Sequence, residues 1–128
     1  RARPFIYTTG IAPAAAGAAR AALEIIMREP GRIARVWDNV RRLRTAATGL
    51  PLLGDGPICP LMTGTAAAAL ELAGRLLAAG CYAPAIRPPT VPRGQARVRM
   101  TLSALHTPEQ IDSLAAVLRT AQSALCND

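Results

Sequence analysis

Three prolines within five residues, Pro88, Pro89 and Pro92, set the first boundary condition on any fold this chain adopts. Each fixes φ and lacks an N–H, so Arg87-Pro88-Pro89-Thr90-Val91-Pro92 can neither continue a helix nor sustain a sheet ladder. The chain must pass through this stretch as a stiff loop. Beyond it, Ala96, Val98, Met100 and Leu102 alternate with Arg97, Arg99 and Thr101, the period of a half-buried strand. Before it, Cys81 to Ile86 reads as a short extended segment.

The remaining segments are punctuated as clearly. Ala12 to Met27 is alanine-dense, and Ala15, Ala19, Leu23, Ile26 and Met27 recur at helical spacing. Glu29-Pro30-Gly31 breaks that helix. A second follows, with Ile33, Val36, Trp37, Val40 and Leu43 as its apolar stripe and Arg32, Arg35, Asp38, Asn39, Arg41 and Arg42 outward, ending before Gly49. The next residues are rich in turn formers. Only Ile58 to Met62 can form a strand there, and Pro60 places it at a sheet edge or a bulge. Thr65 is an N-cap for a helix from Ala66 to Ala79, with Ala69, Leu70, Ala73, Leu76 and Leu77 on one face and Gly80 as its stop. Thr107-Pro108-Glu109-Gln110 joins an N-cap, a first-turn proline and a capping-box glutamine ahead of Ile111, Leu114, Leu118, Ala121 and Leu125. The order helix, helix, strand, helix, strand, strand, helix predicts a small α+β domain, an antiparallel sheet with helices packed on one face. Arg3 to Pro13 lacks periodicity and reads as an extended segment leaning on another domain or subunit. Residues 1–13 are therefore set apart from the domain proper at 14–128.

Composition limits both core and chemistry. Of the 128 residues 51% are hydrophobic, but 27 are alanine, so the core is thin and depends on Leu, Ile and Val. No apolar run reaches the roughly 18 residues of a spanning helix, and Arg1 to Phe5 lacks a secretory-signal profile. Cys59, Cys81 and Cys126 are an odd, widely spaced set, which suits a reducing cytoplasm better than a disulfide framework or a zinc knuckle. A soluble, cytoplasmic chain with no metal site and no membrane partner is expected. All 15 basic residues are arginine. With no lysine, the chain cannot by itself complete chemistry that needs an amine nucleophile. It begins at Arg1, and is expected to be part of something longer.

Several residues are candidates for binding. Arg87 follows an apolar segment and precedes the proline loop, so its guanidinium is presented at a fixed place, suited to bidentate recognition of a carboxylate. Thr90 could add a hydroxyl to the same ligand. A plain surface arginine at a strand end is the commoner meaning of such a position. Tyr7-Thr8-Thr9-Gly10, just ahead of a helix, could bind a phosphate, although a threonine pair before glycine is more often a capped turn. His106, the single histidine, stands beside the capping Thr107 and reads as a packed or capping-region residue. The net charge of +7 raises nucleic-acid binding as a test case. Four aromatic residues and no recognition motif argue instead for a solvated arginine face.

Phe5-Ile6-Tyr7-Thr8-Thr9, the loop from Ala85 to Gly94, Ala96-Arg97-Val98-Arg99, Thr101-Leu102-Ser103-Ala104 and His106-Thr107-Pro108-Glu109 resemble the C-terminal part of the α-oxoamine synthases. These are fold-type I enzymes dependent on pyridoxal 5'-phosphate. The resemblance implies the small C-terminal domain of such an acyltransferase. The Ile-Arg-Pro-Pro-Thr-Val-Pro version is similar to that of members condensing L-alanine with a pimeloyl thioester, with loss of carbon dioxide, to give 8-amino-7-oxononanoate for biotin synthesis. The acyl group would arrive on coenzyme A or on a carrier protein. By this resemblance Arg87 and Thr90 bind substrate, Arg87 through the amino-acid carboxylate, while Thr8 and Thr9 reach the cofactor phosphate of the neighbouring subunit in a homodimer. The lysine that holds the cofactor covalently belongs to the family's larger domain, so no catalytic residue is expected in this segment, which alone is expected to be inactive. A related synthase with another amino acid or acyl donor, and a non-catalytic basic interaction module derived from the same domain, are the alternatives.

Overall fold

The computed structural model describes residues 10–125. Its elements follow the expected order: α1 (Pro13–Arg28), α2 (Gly31–Ala46), β1 (Ile58–Gly64), α3 (Ala66–Ala78), β2 (Ala85–Ile86), β3 (Ala96–Thr101) and α4 (Pro108–Leu125). The chain forms two compact units, one up to Ile33 and one from Ala34 onward. Most of the segment set apart at 1–13 lies outside the described residues, as does Cys126. Among the described residues no helix is long and apolar enough to cross a membrane, and no cluster of His, Cys, Asp and Glu could hold a metal.

In the first unit α1 opens on Pro13, where no N–H is required. Arg20, Glu24 and Arg28 form a charge ladder at four-residue spacing. The helix buries none of its residues, and the stripe expected from Ala15, Ala19, Leu23, Ile26 and Met27 stays exposed, Leu23 and Met27 well so.

The second unit is built on β3, the middle strand of a three-stranded antiparallel sheet in the order β1-β3-β2. The predicted alternation holds: Ala96, Val98 and Met100 are buried, and Arg97, Arg99 and Thr101 are on the other side. Opposite them, Cys59 and Leu61 of β1 turn to the same apolar side, which Val40 and Leu43 of α2, Leu72 and Leu76 of α3, and Ile111 and Leu118 of α4 close. Helices thus cover one face of the sheet. Pro60 is accommodated as expected. Its carbonyl accepts from Leu53 N–H at 2.8 Å on the outer side of β1. In an antiparallel strand a residue's N–H and C=O point the same way, so the missing N–H costs no bond to β3.

The three marked helix termini form as read. Thr65 accepts from Ala68 N–H at 3.2 Å. At the other end of α3, Gly80 at φ +79° lets its N–H reach Leu77 O (2.9 Å) and that of Cys81 reach Leu76 O (2.8 Å), the paired bonds of a Schellman cap. At α4 the capping box is reciprocal: Thr107 N–H donates to Gln110 Oε1 at 3.0 Å, and Gln110 N–H to Thr107 Oγ1 at 3.4 Å.

Three expectations need correction. Cys81 is used in the helix cap and Pro84 has no N–H, so the segment from Cys81 forms strand only at Ala85 and Ile86, with Pro84 contributing just its carbonyl. In α3 the buried residues are Ala69, Leu72 and Leu76, while Leu70 and Leu77 are 53% and 62% exposed. An alanine-rich helix offers several overlapping apolar stripes, and contact with the sheet selects one. In α2 Ile33 and Trp37 stay 47% and 42% exposed, and Asn39, expected outward, is buried beside Val40. Its Nδ2 donates to Ser103 O and His106 O, both at 3.0 Å, tying α2 to the turn that leads into α4. A buried amide is tolerated because its donors are satisfied.

The α2–α4 contact is also ionic. Arg42 meets Asp112 in a bidentate pair at 2.7 and 2.6 Å. The hydrogen bond from Arg42 holds the Asp112 carboxyl below its usual range. Glu109 is likewise lowered, by its own backbone N–H and by Thr107 at the helix start. A carboxyl depressed in the folded state contributes stability that is fully present above its unfolded pKa and lost as pH falls through the folded value. Thermal melts across the acid range are therefore expected to show a flatter pH dependence for Asp112→Asn than for the parent, with the variant slightly less stable near pH 7, by a small margin because the pair is exposed, and the two converging in acid. Thr107→Ala, which removes the N-cap acceptor, is expected to cost about 1 kcal/mol in urea unfolding.

Candidate functional site

The chain leaves the sheet at Arg87. Only two residues before it are paired, Ala85 with Val98 and Ile86 with Arg97. A further bond, Arg99 N–H to Pro84 O at 3.0 Å, secures the strand's start. The loop is then two successive turns. Thr90 N–H donates to Arg87 O at 3.0 Å, closing Arg87-Pro88-Pro89-Thr90, in which the Pro88–Pro89 bond is cis. Gln95 N–H donates to Pro92 O at 3.1 Å, closing Pro92-Arg93-Gly94-Gln95. Gly94, third in that turn, sits at φ +78°, where glycine incurs no Cβ penalty. The sequence reading of a rigid loop is thus realised as proline-fixed φ angles plus two backbone bonds.

Arg87 and Thr90 are the first and last residues of one turn, and both are exposed. Among the described residues the Arg87 guanidinium has no hydrogen-bond or ion-pair partner. The charge distribution explains this. No Asp or Glu occurs from Leu72 to Pro108. Five carboxylates elsewhere, Glu24, Glu29, Asp38, Glu71 and Asp112, already pair with arginines on the helices. A free planar fork of donors, carried on a stiff turn, can receive a carboxylate bidentately with little loss of loop entropy. Thr8 and Thr9 lie outside the described residues.

Two polar residues at this end and the next were not singled out by sequence reasoning. Gln95 precedes the alternating strand, and its side-chain and backbone oxygens both accept from Arg97: Nε to Gln95 O at 3.0 Å and Nη2 to Gln95 Oε1 at 3.3 Å. Asn39 is the other, and its place between Val36, Val40 and Leu43 was the available signal. His106 is structural, as read: its Nδ1 accepts from Ser103 N–H at 3.1 Å. Cys59 is buried and Cys81 half-buried, both free thiols. A cleft of 480 Å³ between Tyr82, Met100, Leu102 and the α4 residues Ile111 and Leu114 includes neither Arg87 nor Thr90. Much of its polar rim, including His106 and Gln110, is already engaged in holding the turn and the α4 cap.

A free arginine on an edge-strand turn of a small helix-backed sheet needs a family context to acquire meaning. The aminotransferase class I and II family model matches residues 1–118, and the chain belongs to that family. Within it, the chain is similar to proteins named 8-amino-7-oxononanoate synthase. It is 52% identical over 114 residues to a putative one from Desulforudis audaxviator, covering 88% of this chain and 30% of that protein. It is 50% identical over 124 residues to one from Methylococcus capsulatus, covering 94% and 32%. The chain therefore spans about a third of the length of these curated relatives. Among solved structures, serine palmitoyltransferase from S. paucimobilis with a bound PLP–myriocin aldimine aligns with TM-score 0.81 and 28% identity, over 98% of this chain and 33% of that one. The 8-amino-7-oxononanoate synthase of Francisella tularensis aligns with TM-score 0.73 and 25% identity, over 96% and 37%. The expected small α+β domain of fold-type I enzymes is the fold observed.

The turn at Gly94 offers a direct check on the loop. Gly94→Ala places a Cβ at φ +78° with no neighbouring atom within 4 Å, so only the backbone penalty applies. A loss of about 1–2 kcal/mol in denaturant unfolding is expected.

Proposed function

We propose that this chain is the small C-terminal domain of a pyridoxal phosphate-dependent α-oxoamine synthase that condenses L-alanine with a pimeloyl thioester, releasing carbon dioxide and forming 8-amino-7-oxononanoate for biotin synthesis. The observation that carries the reading is identity of about 50% to relatives of that name, across the stretch that contains the Arg87 turn. In this reading residues 14–128 form the small domain, and residues 1–13 contact the larger domain or the other subunit of a cytoplasmic homodimer.

Pyridoxal phosphate, when bound, supplies an electron sink for the carbanion formed at the amino acid's Cα. The described residues fit recognition of the amino acid and offer no cradle for the cofactor itself. Because the chain has no lysine, the cofactor's covalent anchor belongs to a part of the enzyme outside it, and this segment alone is inactive. Arg87 grips the substrate carboxylate through two parallel N–H···O bonds, which fixes how the bonds at Cα are turned relative to the ring. Thr90, closing the same turn, lies against the substrate. Thr8 and Thr9 would hold the cofactor phosphate of the neighbouring subunit through their hydroxyls.

The second reading is a related synthase with another amino acid or acyl donor, favoured by the higher TM-score with serine palmitoyltransferase, 0.81 against 0.73. Product analysis on the full-length enzyme with competing amino acids and thioesters separates the two. For the leading reading, Arg87→Ala in the full-length enzyme is expected to raise the apparent KM for L-alanine about tenfold to a hundredfold, the worth of a charge-assisted contact of about 1.5–3 kcal/mol. Unchanged alanine KM and turnover would overturn the assignment of Arg87.

A further inference from the structure

The loop that carries Arg87 is held at two ends of unequal strength. On the β2 side only Ala85 and Ile86 are paired before the chain departs. On the β3 side, Arg97 reaches back to Gln95 through two bonds, Nε to the backbone oxygen at 3.0 Å and Nη2 to Oε1 at 3.3 Å. Gln95 in turn closes the second turn onto Pro92. Arg97 is also the register partner of Ile86, the residue before Arg87. One residue therefore stands beside the loop's departure and grips its return. Between those points Pro88, Pro89 and Pro92 fix three φ angles, so displacement at Gln95 is transmitted along the loop more than it is absorbed. Arg97 has no carboxylate partner among the described residues, and its outward neighbour on the strand, Arg99, makes no side-chain bond to the loop. The fork of Arg97 is spent on loop geometry.

We propose that Arg97 is a positioning residue for the amino-acid carboxylate site: by clamping Gln95 it sets the placement of the Arg87 turn. This rests on the reading that Arg87 binds the carboxylate. Substrate affinity at Arg87 then depends on a side chain that does not touch substrate, because a bidentate contact tolerates little angular error.

The test is steady-state kinetics on the full-length enzyme, with L-alanine and the pimeloyl thioester varied separately. Arg97→Met keeps an unbranched apolar stem and removes both bonds. It is expected to raise the KM for L-alanine about tenfold while the KM for the thioester stays within twofold. Arg99→Met, a loss of positive charge on the same sheet face, is expected to leave both KM values within twofold. Gln95→Glu, which offers the guanidinium a carboxylate, is expected to retain the parent's alanine KM. If Arg97→Met does not accumulate as folded enzyme, Gln95→Leu removes the side-chain half of the clamp from the other end and must raise the alanine KM in the same selective way. An unchanged alanine KM in Arg97→Met, or an equal rise in both KM values, overturns the proposal. When Arg87→Ala raises the alanine KM and Arg97→Met does not, the positioning role alone falls. When neither does, the carboxylate-site reading falls with it.

Discussion

Burial of one side of β3 is the constraint from which the rest of the second unit follows. Ala96, Val98 and Met100 are almost fully enclosed, and a slip of one residue would turn arginines into the core in their place. That cost locks the register on both sides of the strand. β1 is thereby fixed with Cys59 and Leu61 inward, and β2 with Ile86 opposite Arg97. The position of Arg87 is a consequence of this register. It is the first residue that the ladder no longer holds, and the prolines after it prevent the chain from drifting.

Charge is divided between structure and site. On the helices, acids sit three or four residues from arginines and are consumed by them, as in Arg20–Glu24, Arg32–Glu29 and Arg75–Glu71. Arg42 and Asp112 extend the pattern across two helices. The stretch from Leu72 to Pro108 contains no acid at all, so the β2–β3 loop keeps its cations available or, for Arg97, commits one to the backbone and side chain of Gln95. An anionic ligand arriving at the loop does not have to displace a resident carboxylate.

Local chemistry made much of this legible in advance. Thr65, Gly80 and the Thr107–Gln110 capping box mark helix ends because cap bonds form between residues only a few positions apart. The alternation from Ala96 is legible for the same reason, since side-chain direction in a strand depends on the strand alone. What holds Asn39 in the core was not legible, although its place on the apolar stripe hinted at burial. Its partners, Ser103 O and His106 O, lie more than sixty residues away in sequence, and on its own helix an asparagine beside arginines looks like a solvated one. The stripe of α3 failed similarly, because Ala69, Leu70, Leu72, Leu76 and Leu77 satisfy more than one helical face until a sheet is brought against them.

The sequence by itself determined the order and kind of the elements, the stiffness of the Arg87 to Pro92 loop and the impossibility of an amine anchor within this chain, because each depends on residue identity or on spacing within a turn or two. Tertiary structure decided which apolar residues are buried, which polar ones are enclosed, and which arginines are free. Those outcomes depend on what lies across the sheet, as with Ile86 against Arg97 and Asn39 against the turn before α4. A guanidinium's role is set by the acceptors within reach in space: Arg97 finds both oxygens of Gln95, while Arg87, ten positions earlier on the same hairpin, finds none among the described residues.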